Sequence, residues 1–328
     1  MMTSVSGGSI TSGVLASRWK QLQFDSNGRA GNFGERIVAP LREFCTRNID
    51  ILAGLIGALP FVSGADVTCR RYRKYLFGDT TLQDIPDGEA VPRFVFYATS
   101  LQTGVSVRFS RKRVGDYKVG ELPDPEISLA EVVAASSAFP PVLSPMTIKT
   151  DPAKWRNMEG TTFFDDPAYR ERLILTDGGV YDNMGLEAIW DRYETVLVSD
   201  AGAPLVASSK AAGDWANLTK RTIDIVTEQT RALRKRQLVS ELQASTAKGA
   251  YWGITTNIDH YGLTTPLTRH NDVNAKLQAI RTRLNAFSDE EQGQLINWGY
   301  ALTDAAIRKH VLDRDPGPGQ WPYPDYAV

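Results

Sequence analysis

The chain has 328 residues, 42% of them hydrophobic and 23% charged, which is enough to bury a large core as one domain or two. Its formal net charge of −1 at pH 7 leaves no whole-protein electrostatic footprint for nucleic acid, so no nucleic-acid partner is expected. Two cysteines, Cys45 and Cys69, cannot build a disulfide framework, and no run reaches the ~18 apolar residues of a membrane span.

The chain opens on "SVSGGSITSG", a serine and glycine cluster with only Met1, Met2 and Thr3 ahead of it. Ile10, Val14 and Leu15 stand about one turn apart, so the following "SITSGVLASRW" reads as a helix. The first residues show neither the basic region nor the apolar block of a secretory leader. With no membrane span either, the expected location is cytoplasmic or peripheral to a membrane. "ILAGLIGALPFV", residues 51–62, is apolar but short and carries Pro60; it fits a lid or membrane-facing helix as well as a core helix. "RRYRKY", residues 70–75, fits a contact with anionic headgroups or a solvated face.

"DTTLQDIPDGEAVP" is turn-rich and reads as a loop. "RFVFYATSL" and "GVSVRFS", separated by Gln102, Thr103 and Gly104, read as two neighbouring strands or a hairpin. In "ISLAEVVAASSAFPP", Ser128 and Glu131 form a capping box, Leu129, Val132 and Val133 mark an apolar face, and Pro140 and Pro141 end the helix. "RLILTDGG" is a strand running into a glycine turn, and "YETVLVSDAG" is apolar enough for a strand buried on both faces.

The last third reads as helical. Leu218, Ile225, Ala232 and Val239 recur every seven residues, with "LRKRQ" at 233–237 on the solvent side. Val273, Leu277, Ile280, Leu284 and Phe287 form an amphipathic stripe, and Ser288 with Glu291 caps a further helix. The tail "DPGPGQWPYPDYAV" is proline-rich and reads as extended or disordered. Strands mixed with helices indicate an α/β fold with a helical C-terminal portion.

Three constellations bear on chemistry. A nucleophile elbow, G-x-S-x-G, needs small residues two before and two after the serine, because the serine sits on a strained strand-to-helix turn. Of Ser6, Ser9 and Ser12, only Ser6 meets this rule, with Ser4 and Gly8 at those places. The helix that follows would point its N-terminal dipole at Ser6. A phosphate-binding loop is ruled out, because Val14 stands where lysine is required. A flexible, glycine-rich terminus is the plain alternative.

The second constellation is "LTDGGVYDNMG". It places Asp177 at the end of an apolar strand, with Gly178 and Gly179 allowing close backbone approach. An Asp-Gly surface turn is the alternative. Asn183 is placed to brace that turn, and Asp200, at another strand end, reads as structural. The third constellation is the histidine supply. Only His260, His270 and His310 exist, in no recognisable motif. The order Ser6, Asp177, then His260 or His270 leaves a Ser-His-Asp triad open. No His, Cys, Asp and Glu cluster has metal-ligand spacing, so neither metal nor cofactor is expected.

Ser6 in "SVSGGS", "FYATSLQTG", "AASSAFPP", "LTDGGVYDNMGLEAIW" and "INWGYALTDAA" together resemble the bacterial members of the patatin-like phospholipase family. The resemblance implies a three-layer α/β/α fold with a central, mostly parallel sheet over residues 1–312, followed by a Pro/Gly-rich tail at 313–328. It implies a serine hydrolase of carboxylic esters, of phospholipase A, lysophospholipase or esterase type, acting on a lipid or acyl ester with transient membrane contact. Ser6 matches the family's nucleophile and Asp177 its base, with Gly7 and Gly8 on the oxyanion side, supported by Gly178, Gly179 and Asn183. Family members carry a first strand and a glycine-rich oxyanion loop ahead of the elbow. Neither is visible here, so an N-terminally truncated member with little or no activity is expected. The competing expectations are an α/β-hydrolase-like triad esterase and a non-catalytic lipid-binding relative.

Overall fold

A short strand does lead into Ser6. In the computed structural model, which describes residues 1–49, 63–190, 192–209, 213–244 and 248–328, Met2–Ser4 is β1. It pairs in parallel with β2 (Phe94–Ser100), Met2 opposite Phe94 and Ser4 opposite Phe96. The expectation that no strand enters the elbow is therefore corrected. Three residues suffice because β2 is buried along its whole length and supplies both the ladder and the apolar cover.

The described chain divides into two compact units, Met1–Ala188 and Ile189–Val328. In the first, helix α1 (Gly7–Arg18) follows the elbow, then α2 (Ala39–Cys45) and α3 (Gly64–Tyr72). Strands β3 (Ser106–Phe109), β4 (Arg113–Asp116) and β5 (Gly120–Pro123) follow β2 as a meander. Then come α4 (Leu129–Ser136), β6 (Met146–Lys149), β7 (Arg172–Asp177) and the single turn α5 (Gly179–Asp182).

The class is α/β, as expected, but the mostly parallel sheet is not what this unit contains. Among the described residues, β1 with β2 is its one parallel pair; β2–β3, β3–β4, β4–β5, β2–β7 and β6–β7 all run antiparallel. Short turns join β2 to β5 in sequence, and such turns can connect only antiparallel neighbours. β1 reaches β2 through a long helical connection, which a parallel pair requires.

The pairing of β2 determines where the site forms. Phe96, Ala98 and Thr99 face β3 across one edge of β2, so β1 and β7 must share the other edge. β1 runs up that edge and stops at Phe96; β7 runs down it and stops at Ala98. Their C-terminal ends meet beside Tyr97, which brings the residues after Ser4 to the carboxyl end of "RLILTD".

α4 covers this junction. Its capping box closes as expected, Glu131 N–H to Ser128 Oγ and Ser128 N–H to Glu131 Oε2, each at 3.3 Å. Every residue of the helix except Glu131 is buried, which suits an element hydrophobic on all sides. It packs on β2, β6 and β7 and against α1 and α3. Gly13 permits the approach to α1, since a Cβ there would stand 3.1 Å from Val133.

The second unit holds β8 (Thr195–Asp200) and β9 (Lys248–Gly253), paired in parallel from Thr195 opposite Lys248 to Asp200 opposite Gly253. β8 is not buried on both faces: Leu197 is 47% exposed, because β9 is its one partner among the described residues. Helix α6 (Trp215–Gln243) spans the heptad residues, with Leu218 and Ile225 exposed and Leu238 buried.

The stripe from Val273 to Phe287 is not one helix. α7 (Asp272–Leu277) ends at Leu277, and Arg281 turns to Glu291 Oε2 at 3.0 Å and to the Ala286 carbonyl at 2.7 Å. Those charge-assisted bonds fix the segment against the Ser288 cap of α8 (Asp289–His310) and override the apolar period. The unit's core gathers Trp252, Ile258, Leu277, Trp298 and Leu302, with Val328 of the tail packed in. Residues 51–62 lie outside the described ones. Among the described residues, no helix is long and apolar enough to cross a membrane.

Candidate active site

Ser6 is the N-cap of α1 and has φ 53° and ψ −128°. A non-glycine residue in that region stores about 1–3 kcal/mol of strain and persists only where its surroundings over-determine it. Here the Ser6 N–H is held by two acceptors of one residue, the carbonyl and the hydroxyl of Ser136, each at 3.1 Å. At the start of the helix the Gly8 N–H bonds to the Val5 carbonyl at 2.9 Å and the Ser9 N–H to the Ser6 carbonyl at 2.9 Å. The Gly7 N–H has no acceptor among the described residues and lies in the first turn of the helix. A Cβ at Gly7 or Gly8 would meet nothing within 4 Å, so the space in front of the elbow is open.

Beneath the elbow runs a line of buried hydroxyls. Ser9 Oγ donates to Ser4 Oγ at 3.1 Å. Ser4 Oγ is 2.7 Å from Ser12 Oγ, and Ser9 Oγ is 2.8 Å from Ser136 Oγ. Ser9 gives its one proton to Ser4, so Ser136 donates to Ser9, while the Ser4–Ser12 bond can run in either direction. The small residue that the elbow needs at position 4 is thus also a link in this line.

Asp177 ends β7 with its side chain buried. Its N–H reaches the Ala138 carbonyl at 3.0 Å, and its carbonyl accepts from Thr99 Oγ1 at 2.9 Å. Oδ1 accepts the Gly179 N–H at 2.7 Å, while Oδ2 is buried with no hydrogen-bond partner among the described residues. Burial pushes the carboxyl pKa from 3.8 up to about 6, opposed by the neighbouring Ser6 hydroxyl and by the Gly179 N–H. Ser6 is close enough to favour the carboxylate, yet its hydroxyl closes no formed bond to Oδ2. Hydrogen bonds of reacting groups are often loose before substrate arrives.

Of the two glycines after Asp177, Gly178 is held against rigid backbone and Gly179 against side-chain oxygens. A Cβ at Gly178 would stand 2.5 Å from the Tyr97 carbonyl oxygen, and one at Gly179 would stand 2.5 Å from Asn183 Oδ1 and 3.0 Å from Asp177 Oδ1. Asn183 thus lies over Gly179, and the side-chain bonds to backbone that brace this turn come from Asp182. Its buried carboxylate accepts the Met184 N–H at 3.2 Å and the Glu187 N–H at 3.0 Å.

The three histidines all belong to the second unit: His260 in the turn Ile258–Tyr261, His270 beside Asp259, and His310 ending α8. Asp200 is also there, holding α6 to the strand end. It accepts from Tyr251 Oη at 2.9 Å and from Arg231 Nη1 at 3.3 Å. Among the described residues, no group of three His, Cys, Asp or Glu side chains could hold a metal ion.

Residues 1–190 match the model of the patatin-like phospholipase family. The chain belongs to that family. No curated protein matches it. In this patatin-like chain the matched segment contains the elbow, the Asp-Gly-Gly turn and all of the α4 residues that touch them. Sequence reading picked out Ser6, Asp177 and their glycines but passed over Ser136, Tyr72 and Asp182. "AASSAFPP" did carry a signal: two serines ending an otherwise apolar, buried helix need partners. Ser137 finds the Tyr72 hydroxyl at 3.0 Å, and burial and the nearby Asp177 raise the pKa of that phenol.

Proposed function

We propose that this patatin-like protein hydrolyses lipid acyl esters, of the phospholipase A, lysophospholipase or simple esterase type, through a Ser6–Asp177 dyad. The observation that carries the reading is Asp177 Oδ2: a buried, unpartnered carboxylate oxygen beside a serine held at φ 53°. Family membership supplies the substrate class.

In this mechanism Ser6 Oγ attacks the ester carbonyl as Asp177 takes its proton. The tetrahedral oxyanion is met by the Gly7 N–H and by the positive end of α1. Asp177 then returns the proton to the leaving alcohol, and the acyl group stays on Ser6. Water, deprotonated by Asp177, attacks the acyl-enzyme, and Ser6 regains its proton as the acid leaves. A carboxylate with an ordinary pKa is a poor base for this step; one raised to about 6 is stronger and still ionised at neutral pH. Contact with the bilayer is transient in this reading. Arg47, Arg71 and Lys74, gathered around the Tyr75 ring, support attraction to anionic headgroups.

The test is hydrolysis of p-nitrophenyl acyl esters together with fluorophosphonate labelling. Ser6→Ala and Asp177→Asn each lower kcat by about 10³-fold or more, and label is lost from Ser6→Ala. His260→Ala and His270→Ala keep full activity. Turnover that survives Asp177→Asn, or disappears with a histidine, overturns the dyad. Acyl-chain binding without labelling of Ser6 would make the protein a lipid-binding relative.

A further inference from the structure

Two backbone N–H groups converge on one carbonyl in this site. The Ser136 carbonyl accepts the Ser6 N–H at 3.1 Å and the Gly178 N–H at 3.2 Å. These donors flank the two reacting groups, one at the elbow and one directly after Asp177. Ser136 also accepts the Ser6 N–H on its hydroxyl oxygen at 3.1 Å, and the proton of that hydroxyl is committed to Ser9. The residue is fully buried and is the last of α4, which packs on β2 and β7. A single rigid position therefore sets both the height of the elbow and the end of the aspartate strand.

We infer that Ser136 is a positioning residue, whose carbonyl and hydroxyl together set the reach of Ser6 Oγ to Asp177 Oδ2. The inference rests on the dyad reading and adds to it a third residue that touches no substrate. Removing the hydroxyl leaves the carbonyl in place but takes away one of the two acceptors that hold a strained residue. The elbow relaxes, and Ser6 withdraws from Asp177. The carboxylate then loses the neighbour that favours its charged form, while its burial is unchanged. Among the described residues, Tyr72 of α3 also bears on this pair; burial keeps it neutral, and it bonds Ser137 rather than Ser136.

Three variants separate positioning from packing. Ser136→Ala is expected to lower kcat about ten-fold or more with KM within about two-fold, since a misplaced near-attack geometry costs turnover rather than binding. The acid limb of its kcat/KM profile rises by about half a pH unit, and the Asp177 carboxyl midpoint, followed by carbon-13 NMR, rises with it. Ser12→Ala, at the far end of the same hydroxyl line, lowers the melting temperature but moves neither limb nor midpoint. An unchanged limb and midpoint in Ser136→Ala overturn the inference, and so does an equal shift in Ser12→Ala. Hydrolysis that persists in Ser6→Ala sinks the dyad reading instead; the Asp177 titration needs no turnover and still decides the role of Ser136.

Discussion

A buried carboxylate with one oxygen unpartnered weighs against the fold that holds it. The folded pKa of Asp177, about 6, lies above its ordinary 3.8, so the folded state binds the proton more tightly. Its contribution favours folding below the ordinary value and is lost as pH rises through the folded one. Above that range the ionised group opposes folding by up to about 3 kcal/mol. Asp177→Asn should therefore abolish turnover and yet melt several degrees above the parent at pH 8, and the gap should close near pH 4. A variant that melts no higher at pH 8 removes this account of the site. The parent's kcat/KM should fall on the acid side with a midpoint near the Asp177 pKa, because the base must be ionised. Ser6 and Asp177 were legible because their signals are local: small neighbours around a serine, glycines after a strand. For Ser136 the local pattern shows only that a buried serine needs a partner; it cannot name Ser6, which lies 130 residues away.

At the scale of elements, local chemistry predicted existence better than direction. Ser128 with Glu131 and Ser288 with Glu291 close the boxes their spacing announces, and "RFVFYATSL" and "GVSVRFS" form the hairpin. The direction of the sheet did not follow, since the family resemblance suggested parallel strands while short turns impose antiparallel ones. The stripe after Val273 also misled, because an ion pair at Arg281 outweighs apolar spacing in a short segment. Two substitutions separate the cap of α4 from the contact that sets the aspartate. Ser128→Ala removes the cap and should cost about 1 kcal/mol in urea unfolding with kcat within about two-fold. Gly178→Ala drives a Cβ into the Tyr97 carbonyl, 2.5 Å away, and should cost about 1–3 kcal/mol and most of the activity. Equal kcat losses from the two would mean that α4 as a whole, rather than the β2–β7 contact, places Asp177.

For the molecule as a whole, two cores are built by different means. The Met1–Ala188 unit is organised by a strand, β2, buried along its length, whereas the Ile189–Val328 unit is organised by α8. The proline-rich tail, read from composition as extended or disordered, is held to α8 by the Arg308–Asp315 pair, by the Gly319 N–H on Asp304, by the Tyr326 hydroxyl on Asp289 and by one buried amide. Asn297 Nδ2 donates to the Tyr323 and Tyr326 carbonyls at 2.7 and 2.8 Å, and its Oδ1 accepts the Tyr323 N–H at 3.0 Å. Gly293, one turn earlier, leaves the space that the Tyr326 ring occupies; a Cβ there would stand 2.2 Å from it. Composition could not show this, because proline-rich chain with few internal hydrogen bonds orders only when another element supplies the partners. Asn297→Ala removes three hydrogen bonds to the tail backbone at once and should cost about 2–4 kcal/mol. Amide exchange should then accelerate across residues 321–328 and spread to α8, where Val328 fills the core beside Trp298. Protection along β2 should stay at the parent level, since its ladder partners all lie in the first unit. Loss of protection in β2 together with the tail would show that the two cores unfold as one.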